Sequence, residues 1–232
     1  MRAIFYDTET TGIKTDKDRI IEIAAFDPVR GTTFEKLINP GIPIPPDATA
    51  IHKISDAMVA EAPTFAQVAR EFVEFCEGDV VLIAHNNDNF DFPMLRNEFV
   101  RHQVEFPVWK FMDSLKWARR YRGDLPRHTL QFLREIYGIA ANNAHRALDD
   151  VIVLHQVFQL MTDDLNTEQI FTLLNRPKEI IHMPFGKYQG KPLQQLPKDY
   201  IQWLFSNGAL DKAENKDLRT SMEKLNLIPV AS

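Results

Sequence analysis

The chain reads as an α/β protein with a mixed sheet flanked by helices, followed by a small C-terminal accessory module. Three observations predict this. Residues 2–38 hold three strand-like runs in close succession, and Val29-Arg30-Gly31-Thr32 joins the second to the third as a hairpin. Beyond Pro63, helical and strand-like patterns alternate, as they do where helices flank a sheet. From Met183 the texture changes, with glycines interleaved among aromatic and basic residues.

Taken in order, residues 2–8 alternate and are rich in apolar and aromatic types, the mark of a strand. Thr11-Gly12 and residues 14–18 make a turn into a second strand, 20–26, and the hairpin leads to a third, 33–38. The Pro-rich stretch 40–46 excludes regular structure. Pro63-Thr64 opens an amphipathic helix through Phe65, Val68, Phe72 and Phe75. Residues 79–84 form a short buried strand, and a helix carrying Asp91, Leu95 and Phe99 follows. Residues 110–113 make another short strand backed by a basic helix, and 144–161 is the last clear helix of this domain. The expected division is a domain at 1–162, a transition at 163–182 and a module at 183–232, with an amphipathic helix around Tyr200, Ile201, Trp203 and Leu204.

Composition narrows the function. With 44% hydrophobic and 25% charged residues, the 232-residue chain has an ordinary globular core. No apolar run approaches the roughly 18–20 residues of a membrane span, and the first apolar stretch is too short for a signal peptide. The single cysteine, Cys76, lies among Phe72, Val73 and Phe75, which reads as a buried structural thiol in a reducing cytoplasm. The net charge of −5 is unevenly spread: from Arg176 onward nine Lys/Arg face six Asp/Glu, leaving an acidic first part. Such acidity accords with a metal site and does not exclude a polyanionic substrate.

Three segments carry chemistry. In Asp7-Thr8-Glu9-Thr10-Thr11-Gly12, residues two apart on a strand share a face, so Asp7 and Glu9 send two carboxylates into one volume. Like charges so close call for a hard cation between them, whereas taken alone the segment also reads as a polar strand end before a turn. In the second segment, His85-Asn86-Asn87-Asp88-Asn89-Phe90-Asp91, a buried strand ends in polar residues at a helix start. Asp91 shares a face with Leu95 and looks inward, although a carboxylate at a helix start is also favoured by the dipole alone; Asp88 helps to cap the helix. In the third, His145 and Asp150 are five residues apart, which suits a His on the lead-in and an Asp on the first turns. Asp150 lies at the margin of the stripe Leu148, Val151, Ile152, His155 and Phe158, whereas Asp149 points away to solvent.

These three ordered motifs resemble the DEDDh branch of the DnaQ-like 3′→5′ exonucleases, which share an RNase H-like fold. The match covers roughly residues 1–160, and Arg146 stands where the sister branch has Tyr. The resemblance implies hydrolysis with two divalent cations, Mg²⁺ or Mn²⁺. Asp7 would bridge both, Glu9 and Asp150 would complete one, Asp91 would hold the other, and His145 would accept the proton of the attacking water. It also implies that Thr10, Thr11, Gly12, Ile51 and His52, with Asn86 nearby, line the terminal nucleotide's pocket, ordinary packing being the alternative for Ile51 and His52. The product would be a nucleoside 5′-monophosphate.

Basic residues of the cluster Lys116, Arg119, Arg120, Arg122 and Arg127 are candidate phosphate contacts or a solvated helix face. In the tail, Lys187, Tyr188 and Lys191 are candidate nucleic-acid contacts, set against a module in which Phe185, Tyr188 and Trp203 form the core. DNA ends are the expected substrate, with no membrane partner. RNA trimming and polymerase proofreading are close alternatives, and a catalytically inactive binding adaptor is the alternative of a different class.

Overall fold

The structure, a computed structural model, describes residues 1–141 and 146–229, with Ala213 as backbone only. The chain forms two compact units, Met1–Leu174 and Asn175–Ser232. The first holds a five-stranded sheet made of β1 (Arg2–Thr10), β2 (Ile20–Asp27), β3 (Thr32–Leu37), β4 (Val80–Ala84) and β5 (Lys110–Asp113). Their order is β3-β2-β1-β4-β5. The first three pair antiparallel, whereas β4 runs parallel to β1 and β5 parallel to β4. This is the mixed sheet flanked by helices that the sequence predicts.

Strand alternation sorts the two faces. Ile4, Tyr6 and Leu82 look toward α3 (Phe65–Phe75) and α4 (Asp91–Arg101), packing on Phe72, Leu95 and Phe99. A capping box at Thr64 and Gln67 starts α3, and Cys76 at its end is buried with its thiol pKa pushed far up by that burial. Phe5, Val81 and Ile83 look the other way, toward Trp117 of α5 (Ser114–Tyr121) and Val151, Leu154 and Phe158 of α7 (Ala147–Thr162). Because side chains alternate with period two, Asp7 and Glu9 share the face of Phe5, while Thr8 shares that of Tyr6.

Several helices go beyond the sequence expectation. The Pro-rich stretch ends in α1 (Pro46–His52), with Pro46 at the first helical position, where the missing N–H costs nothing. Short helices α2 (Asp56–Val59) and α6 (Leu130–Ile136) also form. Most of α8 (Thr167–Asn175) lies within the first unit, where Ile170 and Leu174 join the core beneath α7, in a segment expected to be transitional. Apolar spacing alone did not reveal so short a helix. The second unit contains α9 (Lys198–Ser206) and α10 (Lys216–Lys224) around Met183, Leu193, Leu204, Leu218 and Met222. Trp203 is 53% exposed and lies outside this core, while Phe185 and Tyr188 are packed at its margin.

Asp113, at the end of β5, fixes the loop that carries the second motif. Its buried carboxylate accepts the backbone N–H of Asn86 (3.0 Å), Asp88 (3.1 Å), Leu115 (2.8 Å) and Lys116 (3.3 Å). It therefore caps α5 and pins a turn in which Asn86 adopts φ +70°, a conformation Asn tolerates better than most residues. Asp88 does not cap α4: its N–H is held by Asp113 and its carboxylate pairs with Lys116 at 3.2 Å. Asp113→Ala is expected to cost roughly 3 kcal/mol, since it strands several donors at once. Asp113→Asn should lose about half of that. Urea unfolding midpoints at constant slope would measure both.

Candidate active site

β1 delivers Asp7 and Glu9 to the α7 face of the sheet, and the first turn of α7 delivers Asp150 to the same place. A carboxylate oxygen from each lies within 4.8 Å of the others. Asp91 enters from the start of α4 and is 2% exposed. Thr8 donates to its Oδ1 at 2.8 Å. The close cluster of three does not include Asp91, but the charge of Asp91 is felt at Asp7.

The electrostatics are those of carboxyls crowded together and withdrawn from water. Burial holds the Asp7 carboxyl well above the usual carboxylate range, and Asp91, Glu9 and Asp150 push it further. Burial, then Asp150, Glu22 and Asp91, raises Glu9 to about 8, against some relief from Arg146. Burial raises Asp91 to about 7, with the Thr8 hydrogen bond working against it. Hard, anionic oxygen donors that repel one another fit a hard divalent cation.

Sequence reasoning missed the residues that hold this cluster together. Glu22 is fully buried on β2, opposite Glu9 in register. Its two oxygens accept the Ala147 N–H at 3.1 Å and the Arg146 guanidinium at 3.0 Å, so β2 grips the start of α7. Arg146 also reaches Glu35 at 3.7 Å. A glutamate in the otherwise apolar run Ile20-Ile21-Glu22-Ile23-Ala24 was the available signal, because a charge is buried so deeply only when paired. Gln131 of α6 donates to Asp150 Oδ1 at 3.1 Å. His85 links two walls, with Nδ1 2.8 Å from the Ser114 hydroxyl and Nε2 2.8 Å from the His128 carbonyl, and burial lowers its pKa. A neutral ring donating from Nε2 and accepting at Nδ1 satisfies both contacts.

The expected substrate residues are unevenly placed. Thr10 Oγ1 donates to the Gly12 carbonyl at 2.6 Å, while Thr11 Oγ1 accepts the Arg19 N–H at 3.0 Å. Gly12 abuts Asp18 so closely that a Cβ would lie 2.6 Å from the carboxylate. These residues therefore form a tight turn at the end of β1. Ile51 is exposed, whereas His52 is buried and accepts the Ile54 N–H at Nδ1. Asn86, His85, Arg119, Arg127, His128 and Thr129 line a cavity of about 490 Å³. That cavity is adjacent in sequence to Gln131, the partner of Asp150. Arg120 instead donates to the Leu174 carbonyl at 3.3 Å. His145 lies outside the described residues.

The raised carboxyl pKa values make metal-free stability depend on pH. Between about 4.5 and about 8, Glu9 stays protonated in the folded protein while its unfolded counterpart ionises. The native state then binds more protons, so stability present below about 4.5 is lost as pH rises through about 8. Thermal melts in EDTA at pH 5, 7 and 9 should show this fall. At a hundredfold excess over Kd, Mn²⁺ should restore about 2.7 kcal/mol and raise Tm by roughly 5–10 °C. Identical pH profiles with and without the cation would count against a metal site here.

Comparison with known proteins agrees with this geometry. A family model described as Exonuclease matches residues 4–158, and one described as Putative quorum-sensing-regulated virulence factor matches residues 169–215. Exonuclease DPD1, chloroplastic/mitochondrial, of Arabidopsis thaliana is 38% identical over 182 residues, covering 71% of this chain and 57% of its own length. The DNA polymerase III subunit epsilon of Treponema pallidum is 39% identical over 162 residues, covering 67% of this chain and 74% of its own. This chain thus spans little more than half of the plant relative. Among solved structures, exonuclease X in complex with 5′ overhanging duplex DNA has a TM-score of 0.56 at 26% identity, covering 75% of this chain and 99% of that one. Exonuclease I shares the fold, with a TM-score of 0.60 at 23% identity over 74% of this chain and 42% of its own. With the three acidic motifs all inside the matched region, the chain belongs to the DnaQ-like exonuclease family.

Proposed function

We propose that this protein removes nucleotides one at a time from the 3′ end of DNA, releasing nucleoside 5′-monophosphates. The observation that carries the reading is the convergence of Asp7, Glu9 and Asp150 within 4.8 Å, with buried Asp91 beside them. Asp7, Glu9 and Asp150 would hold one divalent cation, and Asp7 with Asp91 a second, Mg²⁺ or Mn²⁺ being the ions that suit such oxygens. When bound, such cations supply Lewis-acid charge to the scissile phosphate and lower the pKa of water.

The remaining steps belong to the chain. His145, by its place in the third motif, takes the proton of the attacking water. Its neighbour Arg146 is tied to Glu22, which anchors that end of the segment. Thr10, Thr11, Gly12 and Asn86, with Ile51 and His52, would form the setting for the terminal nucleotide, and Arg119, which lines the cavity, would meet a phosphate. DNA as the polymer is supported by the relatives, one being a DNA polymerase III subunit and another an exonuclease held on duplex DNA. Repair or degradation of DNA ends is the process this favours, and a single buried thiol suits a reducing compartment such as the cytoplasm. Among the described residues, no helix is long and apolar enough to cross a membrane.

The test is hydrolysis of 3′- and 5′-labelled DNA and RNA oligonucleotides with Mg²⁺ or Mn²⁺. Stepwise loss from the 3′ end is expected, faster on DNA and abolished by EDTA. Asp7→Asn and Asp150→Asn should each lower kcat by roughly a thousandfold or more, about 4 kcal/mol of transition-state stabilisation. Faster cleavage of RNA would make this an RNA-trimming enzyme. Binding without cleavage under either metal would make it an adaptor on a nuclease fold.

A further inference from the structure

The second unit carries an aromatic array of which one member, Trp203, lies outside its core. Met183, Leu193, Leu196, Ile201, Leu204 and Met222 are buried there, and Tyr188 and Tyr200 pack against them. Trp203, on α9, instead stacks on Tyr200 with 15° between the rings and centroids 5.8 Å apart, leaving 53% of the residue exposed. Tyr200 in turn meets Tyr188 edge-on at 4.7 Å. The ammonium groups of Lys187 and Lys191 lie 5.3 and 5.6 Å from the Tyr188 ring centroid.

The glycines of this segment build the array. Gly186 has φ +74°, and a Cβ there would lie 2.9 Å from the Tyr200 hydroxyl, so any other residue would displace that ring. Gly190 has φ +81° and donates to the Met183 carbonyl at 2.8 Å, while the Met183 N–H donates to the Lys191 carbonyl at 2.8 Å. This pair of hydrogen bonds closes the loop, with both lysines beside the Tyr188 ring. Core packing accounts for Tyr188 and Tyr200, whereas Trp203 stacks on Tyr200 and leaves half of its surface to solvent.

We propose that this surface binds a single nucleic-acid strand, with an unpaired base stacking on Trp203 and backbone phosphates meeting Lys187 and Lys191. An exposed ring beside cationic side chains matches the two needs of single-strand binding, a π-surface for bases and positive charge for phosphates. A paired duplex hides its base faces and offers Trp203 nothing to stack on except at an end. From Arg176 onward nine Lys/Arg face six Asp/Glu, so the net charge of this segment favours a polyanion. The site lies in a different unit from the acidic cluster and does not depend on hydrolysis there.

The test uses the full chain in EDTA, titrated with a fifteen-nucleotide oligo(dT) and with a blunt duplex of equal length while tryptophan emission is read. Saturable quenching by the single strand, well beyond that by the duplex, is expected. Trp203→Phe should remove most of the quench, and Trp203→Ala should weaken binding roughly 5- to 150-fold, the range that base–aromatic stacking spans. Lys187→Gln and Lys191→Gln should each flatten the slope of log Kd against log salt by about 0.7. Circular dichroism checks that each variant is folded, and Trp203→Phe keeps a ring on Tyr200. Absence of quenching, its survival in Trp203→Phe, or unchanged affinity in Trp203→Ala would each overturn the proposal. Because no cleavage is read, these outcomes are separate from success or failure of the exonuclease assay.

Discussion

The mutual repulsion of carboxylates gathered at one end of the sheet is the constraint around which the first unit is organised. Two unit charges 4.8 Å apart repel by about 3.5 kcal/mol at an effective dielectric constant of 20. A hydrogen bond to a charged carboxylate, such as Gln131 to Asp150, returns only about 1.5–3 kcal/mol, less than the summed repulsion of three such charges. Local hydrogen bonds therefore cannot hold Asp7, Glu9 and Asp150 together as ions. Either protons or cations must neutralise them, and the raised pKa values of Asp7, Glu9 and Asp91 express the first solution. The packing of α7 on the sheet holds the carboxylates in place meanwhile, through Val151, Leu154 and Phe158.

Other buried acids of the same unit are treated differently. Asp27 is bonded to Arg2 at 2.5 Å and caps the turn after β2 through the N–H groups of Val29 and Arg30. Glu98 is flanked by Arg101, Arg19 and His102. Asp113 is saturated with backbone donors, and Glu22 is held by Arg146 and Ala147. Each of these has its partners within the fold and serves to position something. Within the cluster, the Thr8 hydroxyl donates to Asp91 and the Gln131 amide to Asp150, while the carboxylates themselves crowd one another. Acids saturated by donors build the scaffold, and acids crowded together make a place suited to a cation.

The same contrast separates the two halves of the aromatic inventory. Phe72, Phe99, Phe106 and Trp109 form a chain of edge-on contacts beside the sheet, where burial supplies the stabilisation. In the second unit Trp203 stacks on a neighbour yet stays open to solvent. Sequence spacing treated Phe185, Tyr188 and Trp203 alike as core. Trp203 is separated from them because Ile201 and Leu204 take the inward face of α9, and the helical rotation turns position 203 away from it.

The sequence by itself determined the strand set, the mixed sheet and the sharing of one strand face by Asp7 and Glu9. Period-two alternation decides which residues share a strand face, and Asp7 and Glu9 can only lie on the same one. Spacing on α7 likewise assigned Asp150 to the sheet side. Tertiary structure decided what depends on distant partners: the grip of Glu22 on α7, the bonds from Asp113 to the N–H groups of Asn86 and Asp88, and the bridge from His85 to His128, each joining segments far apart in the chain. It also decided that α8 closes the first unit and that Trp203 faces solvent. Periodicity reports which face a residue takes on its own element. What lies opposite that face is set only when elements remote in sequence pack together.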